Sequence, residues 1–298
     1  MKNSIVKSSK TKSTLENTML CIFFVCGAVS ILSVVLISLY MLISGGPAIA
    51  QIGVFDFLFG KTWNPDSAKF GILPLILSSL FATGLAILIA VPIGLFTAIF
   101  LTYIANKRIS SVFSSTIELL AGIPSVVYGL LGAILIVPLI FKIQTMLALP
   151  SGGSLATAAI VLTIMILPTI ISVSVTAIKA APKEYFDASL ALGASKLESV
   201  FRAIIPAAKS GIAAGIVLGV GRAIGETMAV IMVAGNAAIM PELFKPARLL
   251  TVGISMEWAY SSGMHRQALY GIGLVLFIFI MIINIILSSL LKKAAENR

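Results

Sequence analysis

Charge is scarce in this 298-residue sequence. Asp, Glu, Lys and Arg together make up 11% of it, against about 25% in a soluble globular domain. With 59% hydrophobic residues and a mean hydropathy of +1.10, that scarcity excludes both a water-soluble single core and a disordered chain. Histidine occurs once and cysteine twice. Cys21 and Cys26 stand five apart in one apolar run and face different directions, so neither a disulfide nor a metal site follows. No GxxxxGK[ST] phosphate loop is present. Gly219, Gly221 and Gly225 lie inside an apolar run rather than at a strand-to-helix turn, so no dinucleotide site follows either. No nucleophile–base arrangement appears, so the chain reads as a non-enzyme with no catalytic residues, no metal and no cofactor of its own.

What the sequence has instead is long uncharged runs. They do not alternate polar with apolar residues as barrel strands do, so they read as helices whose backbone groups are satisfied internally in lipid. About 20 apolar residues cross a bilayer, and six runs qualify: 19–43, 72–104, 119–141, 155–178, 211–236 and 267–291. The fold class is an all-α polytopic membrane protein with six transmembrane helices. The second run, with Pro74 and Pro92, exceeds the bilayer core and is expected to tilt, bend or project. The organisation reads as a basic tail at 1–18, a first span at 19–43, an outer loop at 44–71, a core of five spans at 72–291, and a tail at 292–298. The start resembles a signal peptide, ending in Ala48-Ile49-Ala50. Its apolar run is longer than the 7–15 residues of a cleaved leader, and it reads as a retained span.

The net charge of +10 points away from nucleic acid because the cations sit in short connectors. One side holds fourteen: Lys2, Lys7, Lys10 and Lys12, then Lys107 and Arg108, then five in the 179–210 connector, then Lys292, Lys293 and Arg298. The other side holds six: Lys61, Lys69, Lys142, Lys245, Arg248 and Arg266. The positive-inside rule places both termini in the cytoplasm of a cell whose plasma membrane the chain spans. Phe55, Phe57, Phe59 and Trp63 in the 44–71 connector suit an outer aromatic belt. His265, on that same side, reads as a solvated loop residue. Glu118 reads as an anchor at the cytoplasmic start of the third span, and Asn236 and Asn284 as interhelical hydrogen bonders.

Two segments carry chemistry. In the fifth run Gly211, Gly215 and Gly219 repeat GxxxG, which permits close helix contact. On a continuous helix Arg222 and Glu226 fall on that same face, within about 80° at 100° per residue. Arg222 is expected near mid-bilayer, where a charge costs about 2.5–3.5 kcal/mol. Two readings of the pair stand: a packing ion pair at i,i+4, or a path for an anion. In the second, Arg222 supplies a planar fork suited to oxyanions, Glu226 an opposing charge, and Thr227 a hydroxyl. The other segment is the cytoplasmic connector 179–210. Lys183 to Leu192 has helical spacing, Gly193 breaks it, and an amphipathic stretch resumes before Pro206. Such a helix–glycine–helix docks a partner or lies on lipid.

Asp187-Ala188-Ser189, Gly193 and Ile204-Ile205-Pro206 resemble the EAA loop of ABC importer permeases, with Asp187 in place of the usual Glu and Ser189 in place of the second Ala. GRAIGETMAVIMVAGN at 221–236 and ELLAGIPSVVYG at 118–129 resemble the phosphate importer permeases, the first string being more similar to the PstC half than to the PstA half. This resemblance, running from about Trp63 to Asn284, implies a type I ABC importer (MetI-like) permease core. It also implies a PstA-like partner permease, two copies of an ATP-binding subunit that use ATP, and an extracytoplasmic phosphate-binding protein. Asp187, Ala188, Ser189, Gly193 and Pro206 would then couple to the ATPase, and Arg222 and Glu226 would serve phosphate passage. An importer for another oxyanion, molybdate or sulfate, is the alternative within this architecture. A self-sufficient secondary transporter is the alternative outside it, and it would ordinarily show internal repeats with paired broken helices.

Overall fold

The computed structural model describes residues 2–149 and 152–296; Met1, Asn297 and Arg298, from the two tails, lie outside them. Among the described residues six helices are long and apolar enough to cross a membrane: Glu16–Ile52, Leu73–Ile104, Ser125–Met146, Leu155–Lys179, Lys196–Gly225 and Gly263–Ile286.

Helix α1 (Lys2–Ile52) has 51 residues, or ~76 Å at 1.5 Å per residue, so it overruns a bilayer core of about 30 Å. It does not end at residue 43 as expected but continues through Pro47 to Ile52, and the connector is shortened accordingly. The reason is tertiary. At Gly45 the helix meets the last helix so closely that a Cβ would lie 2.7 Å from the backbone of Tyr270 and Gly271. Tyr40 and Tyr270 also share a hydroxyl–hydroxyl bond of 2.9 Å. The break falls instead at Gly53, whose φ of 95° suits glycine. The connector to the second span then forms α2 (Val54–Phe59) and a short antiparallel hairpin, β1 (Trp63–Asn64) with β2 (Lys69–Phe70). Phe57 is buried, whereas Phe55 and Phe59 stack together in the open.

The second span is α3 (Leu73–Ile99), extended by a π turn at Phe100–Ile104. The third differs from expectation. Residues 107–121 form a separate amphipathic helix, α4 (Lys107–Ala121), capped by the Asn106 side chain accepting from the Ile109 amide. Gly122 and Pro124 end it. The span itself is α5 (Ser125–Leu131), a π turn and α6 (Val137–Met146). Glu118 therefore sits on α4 rather than at the head of a span. The fourth span, α7 (Leu155–Lys179), starts one residue after its Ser154 cap and matches the sequence reading within a residue.

The 179–210 connector is helical as its spacing implied: α8 (Lys183–Ala191), a turn at Gly193 (φ 91°), and α9 (Lys196–Ser199) with a Ser195/Glu198 capping box. A π turn leads into α10 (Ile205–Gly225). The remainder is α11 (Met228–Val233), α12 (Leu250–Glu257) and α13 (Gly263–Glu296). The fifth span is thus Lys196–Gly225 and stops well before the residue 236 that hydropathy alone implied.

Helix α7 is the centre of the fold. On one side α3 presents Ala82, Ala86, Ala90, Gly94 and Ala98, all buried, and a Cβ on Gly94 would lie 2.8 Å from Ile170. On another, the glycine face of α10 meets it: Cβ atoms at Gly211, Gly215 and Gly219 would come within 2.5 Å of Ala177, 3.1 Å of Val173 and 3.0 Å of Ile170. Small residues four apart let these backbones approach.

Candidate functional site

The glycine face of α10 carries Arg222 onto α7 at the same contact. Arg222 Nη1 donates to Thr169 Oγ1 at 3.1 Å. Thr169 is the fifteenth residue of α7, ~21 Å from its N-terminal end by helix rise, so the guanidinium lies near the middle of the span. Just beyond, α10 ends. Gly225 is its last residue and Glu226 has an extended backbone (ψ 128°). The helix resumes only at Met228.

That break corrects the expected pairing. Among the described residues no ion pair joins Arg222 to Glu226, because i,i+4 proximity needs a continuous helix. Instead Glu226 Oε1 accepts from the Ala229 amide at 3.1 Å and caps α11. The Glu226 carbonyl accepts from Thr251 Oγ1 at 2.9 Å, which satisfies an acceptor that the break would otherwise orphan in lipid. Thr227 Oγ1 donates to the Gly225 carbonyl at 3.4 Å. Arg222, Glu226 and Thr227 are all half-buried. Beyond Gly221 and Gly225 there is open space where a Cβ would stand. Non-helical backbone at membrane depth occurs where it lines protein or a water-filled cavity, and broken helices are a recurrent setting for ion sites.

The second group of expected residues is gathered at the opposite end of α10, around the 179–210 connector. Asp187 and Ala188 are exposed on α8 and Ser189 is half-buried. Phe186 packs on Tyr103 of the second span with ring centroids 5.0 Å apart. The open face carries Tyr185, Leu192 and Leu197; Leu192 is 90% exposed. Pro206 stands in the first turn of α10, directly after the π turn at Val200–Ile204. Arg222 and this face are separated by most of the length of α10.

A third cluster, at the end of the molecule that carries the β1–β2 hairpin, was missed from the sequence. Glu257 accepts from Trp63 Nε1 and shares a bond with His265 Nε2, both at 2.8 Å, and it pairs with Arg248. Arg248 Nε also donates to the Asn236 carbonyl at 2.9 Å. His265 is therefore no solvated loop residue; its ring stands against Trp63 and Phe70. One signal was available: Glu257 is the sole acid between Glu242 and Glu296. Asn236 does not bridge helices through its side chain. It closes α11 in the left-handed conformation (φ 59°), its Nδ2 donating to the Ile231 carbonyl at 2.7 Å.

Residues 90–296 match the family described as binding-protein-dependent transport system inner membrane component. The chain is 38% identical over 270 residues to a probable ABC transporter permease protein, YqgH, of Bacillus subtilis, which covers 87% of this chain and 86% of that one. It is 36% identical over 261 residues to the phosphate transport system permease protein PstC of Pasteurella multocida, covering 82% and 81%. Among solved structures, an inward-facing MetNI methionine ABC transporter superposes with a TM-score of 0.57 over 73% of this chain and 93% of that one, at 18% identity. The break after Gly225 and the helical connector before α10 both fall inside the matched region, and the chain belongs to the family of binding-protein-dependent transport system inner membrane components, with the fold of a type I ABC importer permease.

Proposed function

We propose that this chain is the PstC-like permease subunit of an ATP-driven importer that moves inorganic phosphate into the cell. The observation that carries the reading is the interrupted fifth span. It holds one arginine at mid-membrane against Thr169 and leaves the neighbouring Glu226 free of it. A permanently charged, forked donor suits phosphate oxygens. An acid one break away supplies the opposing charge that keeps the hold weak enough for release. The similarity to PstC permeases over most of the chain supports phosphate as the ion.

In this reading the exposed face of α8 with Leu192 docks a groove on one of the two ATP-binding subunits. A PstA-like permease completes the pathway, and a phosphate-binding protein delivers from outside. ATP is used by the partner, and both termini are cytoplasmic. The test is uptake of labelled phosphate in a strain lacking its own importer and supplied with the partner subunits. Arg222→Lys keeps the charge and loses the fork, so uptake should fall about tenfold or more while assembly persists. Competition by molybdate or sulfate stronger than by unlabelled phosphate would reassign the ion to another oxyanion.

A further inference from the structure

Thr169, which holds Arg222, is the first of four polar residues on one face of α7. Thr169, Ser172, Thr176 and Lys179 fall within about 80° at 100° per residue, and Thr169 to Lys179 spans ~15 Å. Exposure rises along them: Thr169 and Ser172 are half-buried, Thr176 and Lys179 exposed. A cavity of about 220 Å³ opens beside the lower three, walled by Ser114, Ile117 and Glu118 of α4 and by Leu101 of the second span. Thr176 Oγ1 donates to the Ser172 carbonyl at 3.0 Å. Among the described residues the hydroxyls of Ser114 and Ser172 are uncommitted. The site thus offers a cation at its cytoplasmic end, hydroxyls between that cation and Arg222, and a single acid across the gap.

We propose that this cavity is the release station for the anion that Arg222 holds, with Lys179 as the exit cation and Ser172, Thr176 and Ser114 as the hydroxyls in transit. The inference rests on the phosphate reading and extends it to the cytoplasmic half of the route. An anion leaving Arg222 first passes the half-buried Thr169 and Ser172, where a donor must replace lost hydration, and then reaches the exposed Thr176 and Lys179. Glu118 competes with the anion for Lys179, so the ion is not retained there.

Lys179 also lies in the last turn of α7, where a cation favours the helix dipole, so loss of Lys179 alone does not separate the roles. The assembled importer in proteoliposomes separates them. Ser172→Ala with Thr176→Val, and Lys179→Gln, should each lower phosphate uptake about tenfold while binding-protein-stimulated ATP hydrolysis continues; Lys179→Arg should restore uptake. In a background lacking Cys21 and Cys26, the Thr176→Cys variant should react with a small anionic thiol reagent from the cytoplasmic side, be protected by phosphate, and lose uptake on reaction. Uptake that needs Arg222 but survives these variants and that modification overturns the route and leaves the phosphate reading standing. Uptake indifferent to Arg222→Lys overturns the phosphate reading and the route with it.

Discussion

Glu257 gathers three donors from three separate segments: Trp63 from the hairpin, Arg248 from the stretch before α12, and His265 from the start of α13. Its side chain and that of Arg248 are only about a fifth exposed (20% and 17%), so the pair is shielded from water on most sides. Glu257→Leu would leave Arg248 without its counter-charge. Breaking a buried pair costs about 3–5 kcal/mol, and residual exposure puts this one toward the low end. The expected outcome is a clear fall in the thermal unfolding midpoint in detergent. His265→Phe keeps the packing on Trp63 and Phe70 and removes one hydrogen bond, so its cost should be near 1 kcal/mol. Equal midpoints for the two variants would show that Glu257 does not organise the outer side.

The turn at Gly193 decides whether the α8 surface is presented. At φ 91° the residue is outside the range of proline, which is held near −65°. Gly193→Pro should therefore abolish ATP-driven uptake while the protein still inserts. Gly193→Ala meets open space and bears only the left-handed backbone cost of about 1–2 kcal/mol, so it should retain part of the activity. Normal uptake in a correctly expressed proline variant would remove the docking role from α8. The contact between α7 and α10 is tested differently. A Cβ at Gly211 would stand 2.5 Å from that of Ala177, so Gly211→Val should part the helices and displace Arg222 from Thr169. Loss of uptake with a lowered unfolding midpoint is the expected signature.

The whole molecule has two ends, and the positive-inside argument assigns them. The end with the Tyr103–Phe186 contact carries the α8 connector; the end with the Glu257 cluster carries the hairpin and the 235–249 stretch. Ser67 and Lys196 are exposed at opposite ends. In a background lacking Cys21 and Cys26, a Ser67→Cys variant should react with an impermeant reagent added to sealed cells. A Lys196→Cys variant should be shielded until the membrane is opened. The converse pattern would invert the chain and place α8 out of reach of a cytoplasmic ATPase.

Hydropathy and glycine spacing were sufficient for the number of spans, the helical connector at 179–210 and the α10 face that bears Arg222. These are short-range properties: a run of apolar side chains needs lipid, and residues four apart share a helix face whatever surrounds them. Periodicity did not reveal where helices stop inside an apolar run. The end of α10 at Gly225 depends on Thr251 taking the freed carbonyl and on Glu226 capping α11. The persistence of α1 to Ile52 depends on Gly45 against α13. The Glu257 cluster bonds that residue to Trp63, 194 positions away. Such long-range contacts were decided by the tertiary structure, because the partners that satisfy a broken backbone or a buried charge are neighbours in space and not along the chain.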